Sequence, residues 1–358
     1  MAEQNEKIYL LSLLPSELEE FMLSIGEPKY RATQIFTQMH KGVSPNEMTN
    51  IGKATKAKLE EVAVFDLPTV RKKLVSKLDG TVKYLFELID GNCVESVVMK
   101  YKHGNTICIS SQVGCRMGCA FCASTIGGKV RDLRPSEIIG QVIKASADMN
   151  ERISNIVMMG IGEPLDNYDN VLKFLRLVGC EQGLNIGYRH ISLSTCGLCD
   201  KIDALANEEF PITLSISLHA SDDETRSSIM PVNKKWNIDR LLSSCKNYYA
   251  KTGRRISFEY TLIAGKNDSK EAALRLATLL NSRLRDRNAN EPFPIHVNLI
   301  PVNPVSETEF SASDKKAVAL FAQTLEKKGI RATVRRTLGA DINASCGQLR
   351  RAEENNKA

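Results

Sequence analysis

Cys115-Arg-Met-Gly-Cys119-Ala-Phe-Cys122 is the stretch on which the reading of this chain turns. It follows closely on an apolar, strand-like run at residues 106–110, so the three cysteines sit in a loop just past a strand. Thiols spaced C-x3-C-x2-C can wrap one cubic iron–sulfur cluster and leave one iron without a protein ligand. An open iron is a place for a small molecule to bind. Tetrahedral zinc would want a fourth Cys or His nearby, and the nearest histidine, His103, lies upstream of the strand.

Downstream of the loop, strand and helix patterns alternate. Strand-like runs fall at residues 106–110, 155–159, 190–194, 212–218, 256–263 and 296–301. Helical patterns fall at 136–149, 170–180, 238–249 and 270–284, and a last helix at 313–328 precedes a final strand at 332–337. Roughly six βα units predict an α/β fold with a parallel sheet, helices outside, and right-handed crossovers that curl it toward a barrel. Six units fall short of the eight that close one. Periodicity leaves an open barrel and a doubly wound sheet both standing. In either, ligands gather where strands end and helices begin.

Upstream the pattern differs. Leu10, Leu11, Leu13, Leu14, Leu18, Phe21, Met22 and Ile25 recur near helical spacing, and residues 30–39 and 53–62 add two amphipathic stretches. Past Pro68, residues 70–76 and 81–88 read as a hairpin about Asp79-Gly80, with a third β-rich run at 93–101. The expected domains are a helical unit (1–65), a small β-rich linker (66–104), a barrel (105–340) and a C-terminal segment (341–358).

Composition bounds the class. The chain has 358 residues, 42% apolar and 25% charged, which excludes a disordered or fibrous chain. No apolar run approaches the roughly 18 residues that span a bilayer, and the polar N-terminus is no secretory signal. The expectation is a cytoplasmic protein with reduced thiols and no membrane partner, so its ten cysteines read as metal ligands or redox catalysts. Lys and Arg number 48 against 42 acidic residues, and since the first 200 residues hold 23 of each sign, the excess lies in 201–358. A mild basic excess permits an anionic partner.

The cysteine loop after the first barrel strand resembles that of the radical S-adenosylmethionine (SAM) superfamily. There, the amino and carboxylate groups of SAM chelate the open iron of a [4Fe-4S] cluster. Met159-Gly160-Ile161-Gly162-Glu163-Pro164 closes the second strand in agreement, its glycines allowing close backbone approach and Glu163 able to accept from the SAM ammonium. Five motifs narrow the resemblance. Gly91-Asn-Cys-Val-Glu-Ser-Val97, Ser110-Ser-Gln-Val-Gly-Cys115, Met159-Gly-Ile-Gly-Glu-Pro-Leu165, Ser217-Leu-His-Ala220 and Asp341-Ile-Asn-Ala-Ser-Cys-Gly-Gln-Leu349 resemble the RlmN family. Those enzymes methylate adenine C2 in 23S ribosomal RNA and tRNA. A sister branch methylates adenine C8 and confers antibiotic resistance. It carries Ala after Gly-Glu where this chain has Pro164, which favours C2.

The resemblance implies a partial (βα)6 radical SAM barrel and a reaction that consumes two SAM. Adenine C2 is electron-poor, so direct transfer of an electrophilic methyl is poorly matched, and a carbon radical avoids the mismatch. Cys346 is implied as the methyl acceptor, its methyl group then losing hydrogen to a 5′-deoxyadenosyl radical and adding to C2. Cys108 is implied as the resolving thiol that releases the RNA and forms a disulfide, and Glu95 as the base. Cys115, Cys119 and Cys122 are implied as cluster ligands. Gly162, Glu163, Ser194, Ser217, Leu218, His219 and Asn303 are implied as SAM contacts, most of them at proposed strand ends. An external electron donor and a disulfide reductant are implied partners, and the substrate is a structured RNA whose base can be extruded. Cys196-Gly-Leu-Cys199 departs from the family's residues and reads as structural, Cys93, Cys180 and Cys245 belong to no motif, and Trp236 with Lys234 and Lys235 reads as a solvated loop.

Overall fold

Three helices open the chain, α1 (Pro15–Ser24), α2 (Tyr30–Met39) and α3 (Lys53–Val62). Ten strands then join in one sheet: β1 (Thr69–Val75), β2 (Val82–Glu87), β3 (Cys93–Tyr101), β4 (Gly104–Cys108), β5 (Ile153–Met158), β6 (Ile191–Thr195), β7 (Thr213–Ser217), β8 (Ile256–Leu262), β9 (His296–Pro301) and β10 (Arg331–Val334). The computed structural model describes residues 7–285, 293–302, 309–344 and 349, and within them strand order in space follows strand order in sequence.

That order separates the two architectures that periodicity left open. A doubly wound sheet reverses its strand order at a switch point; here β4 through β10 run parallel in unbroken sequence. Repeated right-handed crossovers stack the helices on one side and curl the sheet. The crossovers carry α4 (Pro135–Met149), α5 (Tyr168–Gly179), α6 (Cys199–Leu205), α7 (Asp223–Ile229), α8 (Ile238–Thr252), α9 (Lys270–Leu284) and α10 (Lys315–Lys327). The result is the expected partial barrel. Central strands are covered on both faces, and every residue of β8 is buried.

β1 to β4 pair antiparallel, so the β-rich linker continues the barrel sheet. The N-terminal helices lie against α4 and α5. Glu17 pairs with Lys173 at 2.9 Å, the Ser136 N–H donates to Ser12 Oγ at 3.1 Å, and the Arg134 guanidinium sits 3.9 Å from the Tyr9 ring centre. Ile8–Tyr9 pairs with Ala63–Val64, closing the helical unit at its two ends.

Candidate active site

The cysteine loop is clamped at its base and at its far side. Gln112–Gly114 and Lys129–Asp132 form a short antiparallel pair, and the Cys115 N–H donates to the Gly128 carbonyl at 3.0 Å. Across the loop, the Ala120 N–H donates to Ile229 at the end of α7 at 2.9 Å. Asp166, just after the second-strand turn, binds Arg116, accepts from Gln112 Nε2 at 2.9 Å and pairs with Lys129 at 3.0 Å. Burial pushes the Asp166 carboxyl up, and these three donors more than reverse it, leaving its pKa lowered.

Cys115, Cys119 and Cys122 line a cavity of about 220 Å³ at the C-terminal ends of β5 to β9, together with Gly162, Glu163, Ser194, Ser217 and His219. Burial pushes the Cys115 thiol up to about 12, and Cys119 is raised for the same reason, with the neighbouring cysteines adding to it. Such thiols become thiolates only where a strong positive charge replaces the lost water, as bound iron does. Among the described residues no three His, Cys, Asp or Glu side chains converge closely enough for a single ion. A cubane spreads its ligands over several iron corners, so three thiols rimming one cavity suit it better than zinc.

Both turn glycines are required by packing. A Cβ on Gly160 would lie 2.5 Å from the Ile109 carbonyl oxygen, and one on Gly162 (φ +106°) would lie 2.6 Å from Gln112 Cβ. The glycines therefore let the turn seat on the 109–112 segment, whereas the sequence alone suggested close approach to a ligand. Glu163 is thereby buried in the cavity wall, accepting from the Cys196 N–H at 2.7 Å and the Leu165 N–H at 3.1 Å. Burial raises its pKa against those bonds.

His219 has a positive φ of 55° and its Nδ1 accepts from the Thr261 N–H at 2.9 Å. A backbone N–H can only donate, so the ring proton is on Nε2. Burial lowers the His219 pKa to about 3, keeping the ring neutral. Nε2–H is then the ring's one donor. Leu218 is wholly buried, and only its backbone faces this region's polar network. Asn303 lies outside the described residues.

The chain is 52% identical over 344 residues to the probable dual-specificity RNA methyltransferase RlmN of Clostridium novyi, a match that covers 96% of this chain and 97% of that protein. The chain belongs to the RlmN family of radical SAM methyltransferases. Residues 109–277 match the radical SAM superfamily, and residues 8–65 match the ribosomal RNA large subunit methyltransferase N-terminal domain. The RlmN relative from Alkaliphilus oremlandii is 52% identical over 347 residues, covering 97% and 98% of the two chains. A solved radical SAM methyltransferase from Sphaerobacter thermophilus superposes with a TM-score of 0.88 at 39% identity, covering 95% of this chain and 98% of that one. Radical SAM membership implies a [4Fe-4S] cluster and SAM as cofactors.

A second cavity of about 230 Å³ adjoins the first, lined by Val97, Met99, Cys108 and Ala344 among others. Met159, Ile300 and Arg335 line both cavities. Cys108 ends β4 and pairs in register with Val97 of β3, and Ala344 stands two residues before Cys346, which is outside the described residues. Glu95, two positions before Val97, is on the same face of β3 but lines neither cavity. It is buried and forms an ion pair with the equally buried Lys83 at 3.1 Å.

Three buried charged residues around the site were not singled out from the sequence. Glu259 of β8 lines the cysteine cavity, accepts from Asn298 Nδ2 at 2.7 Å and has its pKa raised by burial. Arg226 of α7 is wholly buried and donates to the carbonyls of Cys196, Ser217 and Leu218. Lys83 is the third. The partners of each are brought to it by the fold, so no local pattern marks it. Cys196 and Cys199 are both buried, and Cys196 also lines the cysteine cavity.

Proposed function

We propose that this chain methylates C2 of adenosine in 23S ribosomal RNA and tRNA through an S-methylcysteine on Cys346. The observation that carries the reading is the adjoining of two cavities, one rimmed by three cysteines and the other holding Cys108 beside the segment that leads to Cys346. Cys115, Cys119 and Cys122 would hold the cluster, and Gly162, Glu163, Ser194, Ser217, Leu218, His219 and Asn303 would hold SAM. When bound, cluster and SAM supply the methyl group and a radical able to take a hydrogen atom.

The chain's own residues do the rest. Cys346, as a thiolate, takes the methyl carbon and carries it to the base, joining protein to RNA. Glu95 accepts the proton lost from C2. Once the adduct has given back the single electron used in SAM cleavage, the Cys108 thiolate attacks the Cys346 sulfur, whose bond to carbon breaks with the pair staying on carbon. That carbon takes up a proton to become the methyl group, so methylated RNA leaves and a Cys108–Cys346 disulfide forms. An external reductant restores the thiols, and an external donor supplies the electron for SAM cleavage. Two SAM are used per methyl delivered. The helical unit (1–65) docks RNA, the linker (66–104) carries the base, the barrel (105–340) holds the cofactors, and the C-terminal segment (341–358) carries the methyl acceptor. The cytoplasm, where thiols stay reduced, suits this chemistry.

Cys108→Ala tests the assignment. The variant should accumulate a covalent protein–RNA adduct, visible as a gel shift that survives denaturation, and Cys346→Ala should give none. Free methylated RNA at wild-type rates from Cys108→Ala refutes the resolving role. Nucleoside chromatography should show 2-methyladenosine; a dominant 8-methyladenosine peak moves the chain to the resistance branch.

A further inference from the structure

We propose that the tip of the β1–β2 hairpin is a clasp that positions the segment bearing Cys346, with Lys83 and Asp341 as its positioning residues. The proposal rests on the role assigned above to Cys346. Four hydrogen bonds join residues about 260 positions apart. Ser76 Oγ donates to Asp341 Oδ1 at 2.6 Å, and the Lys77 N–H donates to Asp341 Oδ2 at 2.9 Å. The Gly339 N–H donates to Asp79 Oδ2 at 2.8 Å, and Lys83 Nζ donates to the Asn343 carbonyl at 2.9 Å. Between them the hairpin tip fastens both ends of the 339–343 turn.

The turn itself is built to be held. Gly339 and Asn343 have φ of +62° and +45°, conformations in which a turn reverses sharply. Within the tip, the Thr81 N–H donates to Asp79 Oδ1 at 3.0 Å, so the carboxylate that grips Gly339 is itself oriented. Gly339 and Thr81 donate to Asp79, and Ser76 and Lys77 donate to Asp341; both carboxyls are held below their ordinary range, so both grips are charged at neutral pH.

Lys83 gives the clasp its connection to chemistry. The ammonium that donates to Asn343 also stands 3.1 Å from Glu95 Oε2, and both side chains are buried. One cation thus spans the proposed base and the backbone three residues before the proposed methyl carrier. Cys346 must present its sulfur to a methyl donor, to an adenine and to Cys108. Fixing backbone costs about 1–2 kcal/mol per residue, and a tether three residues away removes most of that search before the reaction begins.

The exposed end of the clasp allows a test that does not disturb the core. Asp341→Ala and, as a milder variant, Ser76→Ala are compared with wild type for SAM cleaved per methyl delivered to RNA. Hydrogen–deuterium exchange of residues 335–344 is followed in parallel without RNA or SAM. Asp341→Ala should raise the ratio at least fivefold and speed exchange at least tenfold in that segment, leaving β8 and β9 unchanged. Ser76→Ala should shift both in the same direction by less, and Asp341→Asn should recover part of the loss. Either readout staying at the wild-type value, or SAM cleavage and methylation falling in proportion, overturns the clasp. If Cys346→Ala still methylates RNA, the reading of Cys346 fails instead, independently of these variants.

Discussion

Replacing Arg226 with methionine should loosen the turn that presents Ser217 and His219 without altering either residue. Arg226 is wholly buried, and its guanidinium donates to the Leu218 carbonyl at 3.0 Å, Ser217 at 3.0 Å, Cys196 at 2.7 Å and Asn233 Oδ1 at 2.9 Å. Methionine fills much of the same space, so the cavity left behind is small. The Leu218 carbonyl keeps the Ala220 N–H at 2.8 Å; the Ser217 and Cys196 carbonyls and Asn233 Oδ1 lose the donors just named. Each buried acceptor left unmet costs about 1–3 kcal/mol. Burial already lowers the Arg226 pKa, so removing the charge returns part of that cost. A net loss of about 3 kcal/mol follows. Unfolding entropy of about 2.1 cal/mol/K per residue converts this, for a chain of this length, to a Tm drop of about 4 °C. SAM affinity should fall about tenfold as the turn loses its fastening. Thermal melts and calorimetric titration of Arg226→Met read both quantities. Arg226→Lys should lie between, since lysine keeps the charge and loses the planar fork. A melting temperature within 1 °C of wild type, with SAM affinity within twofold, refutes the reasoning.

Gly160→Ala should cost about 1–3 kcal/mol, read as a lower urea midpoint, because its Cβ would meet the Ile109 backbone oxygen at 2.5 Å and neither chain can yield cheaply; an unchanged midpoint contradicts the packing account. Asp166→Asn should destabilise the cysteine loop at pH 7 by about 1 kcal/mol. The folded pKa of Asp166 is lowered, so its contribution is present above the unfolded value of about 4 and fades as pH falls through the folded value. The gap between Asp166→Asn and wild type should therefore close as the urea midpoint is followed downward from pH 5. A gap that widens in acid assigns the loop's stability to other groups.

Elements bounded by polar turns and long enough to show a period were legible in the sequence. The helices at 30–39, 53–62 and 270–284 and the strand at 93–101 coincide with α2, α3, α9 and β3. α6 and α7 were not, because seven residues give only two turns and no periodic signal. The three cysteines and Glu163 were legible because their chemistry is carried by a local spacing. Arg226, Glu259 and Lys83 were not, since each acts on carbonyls, an amide or a carboxylate brought near only by the sheet. The protonation of His219 was equally hidden. Its Nδ1 faces a backbone N–H 42 residues away, and that single contact decides which ring nitrogen can donate. The charge signal was only partly absorbed: Arg335 and Arg336 line the second cavity and lie within the basic half of the chain.

The antiparallel strands explain how one sheet holds two kinds of chemistry. Along the parallel half, the site residues sit at strand ends, where successive loops converge on one cavity. That arrangement suits a cofactor, which must be gripped from several directions. The proposed base comes instead from a strand interior. Glu95, Val97 and Met99 alternate onto one face of β3, and Val97 pairs directly with Cys108. Because the period is two, a slip of one residue between β3 and β4 would turn Glu95 away from that face and break the Val97–Cys108 pairing. Register is held against such a slip by Gln141 of α4. Its side-chain oxygen accepts from Ser96 Oγ at 2.8 Å and from the Ser110 N–H at 2.9 Å, while its Nε2 donates to the Ser110 carbonyl at 3.0 Å. Ser110 Oγ in turn donates to the Glu95 carbonyl at 2.7 Å. One buried amide thus links the strand that carries the proposed base to the segment running from Cys108 to the cysteine loop. The spacing between the two cavities is therefore set by the sheet and its buried hydrogen bonds, with no flexible linker between them.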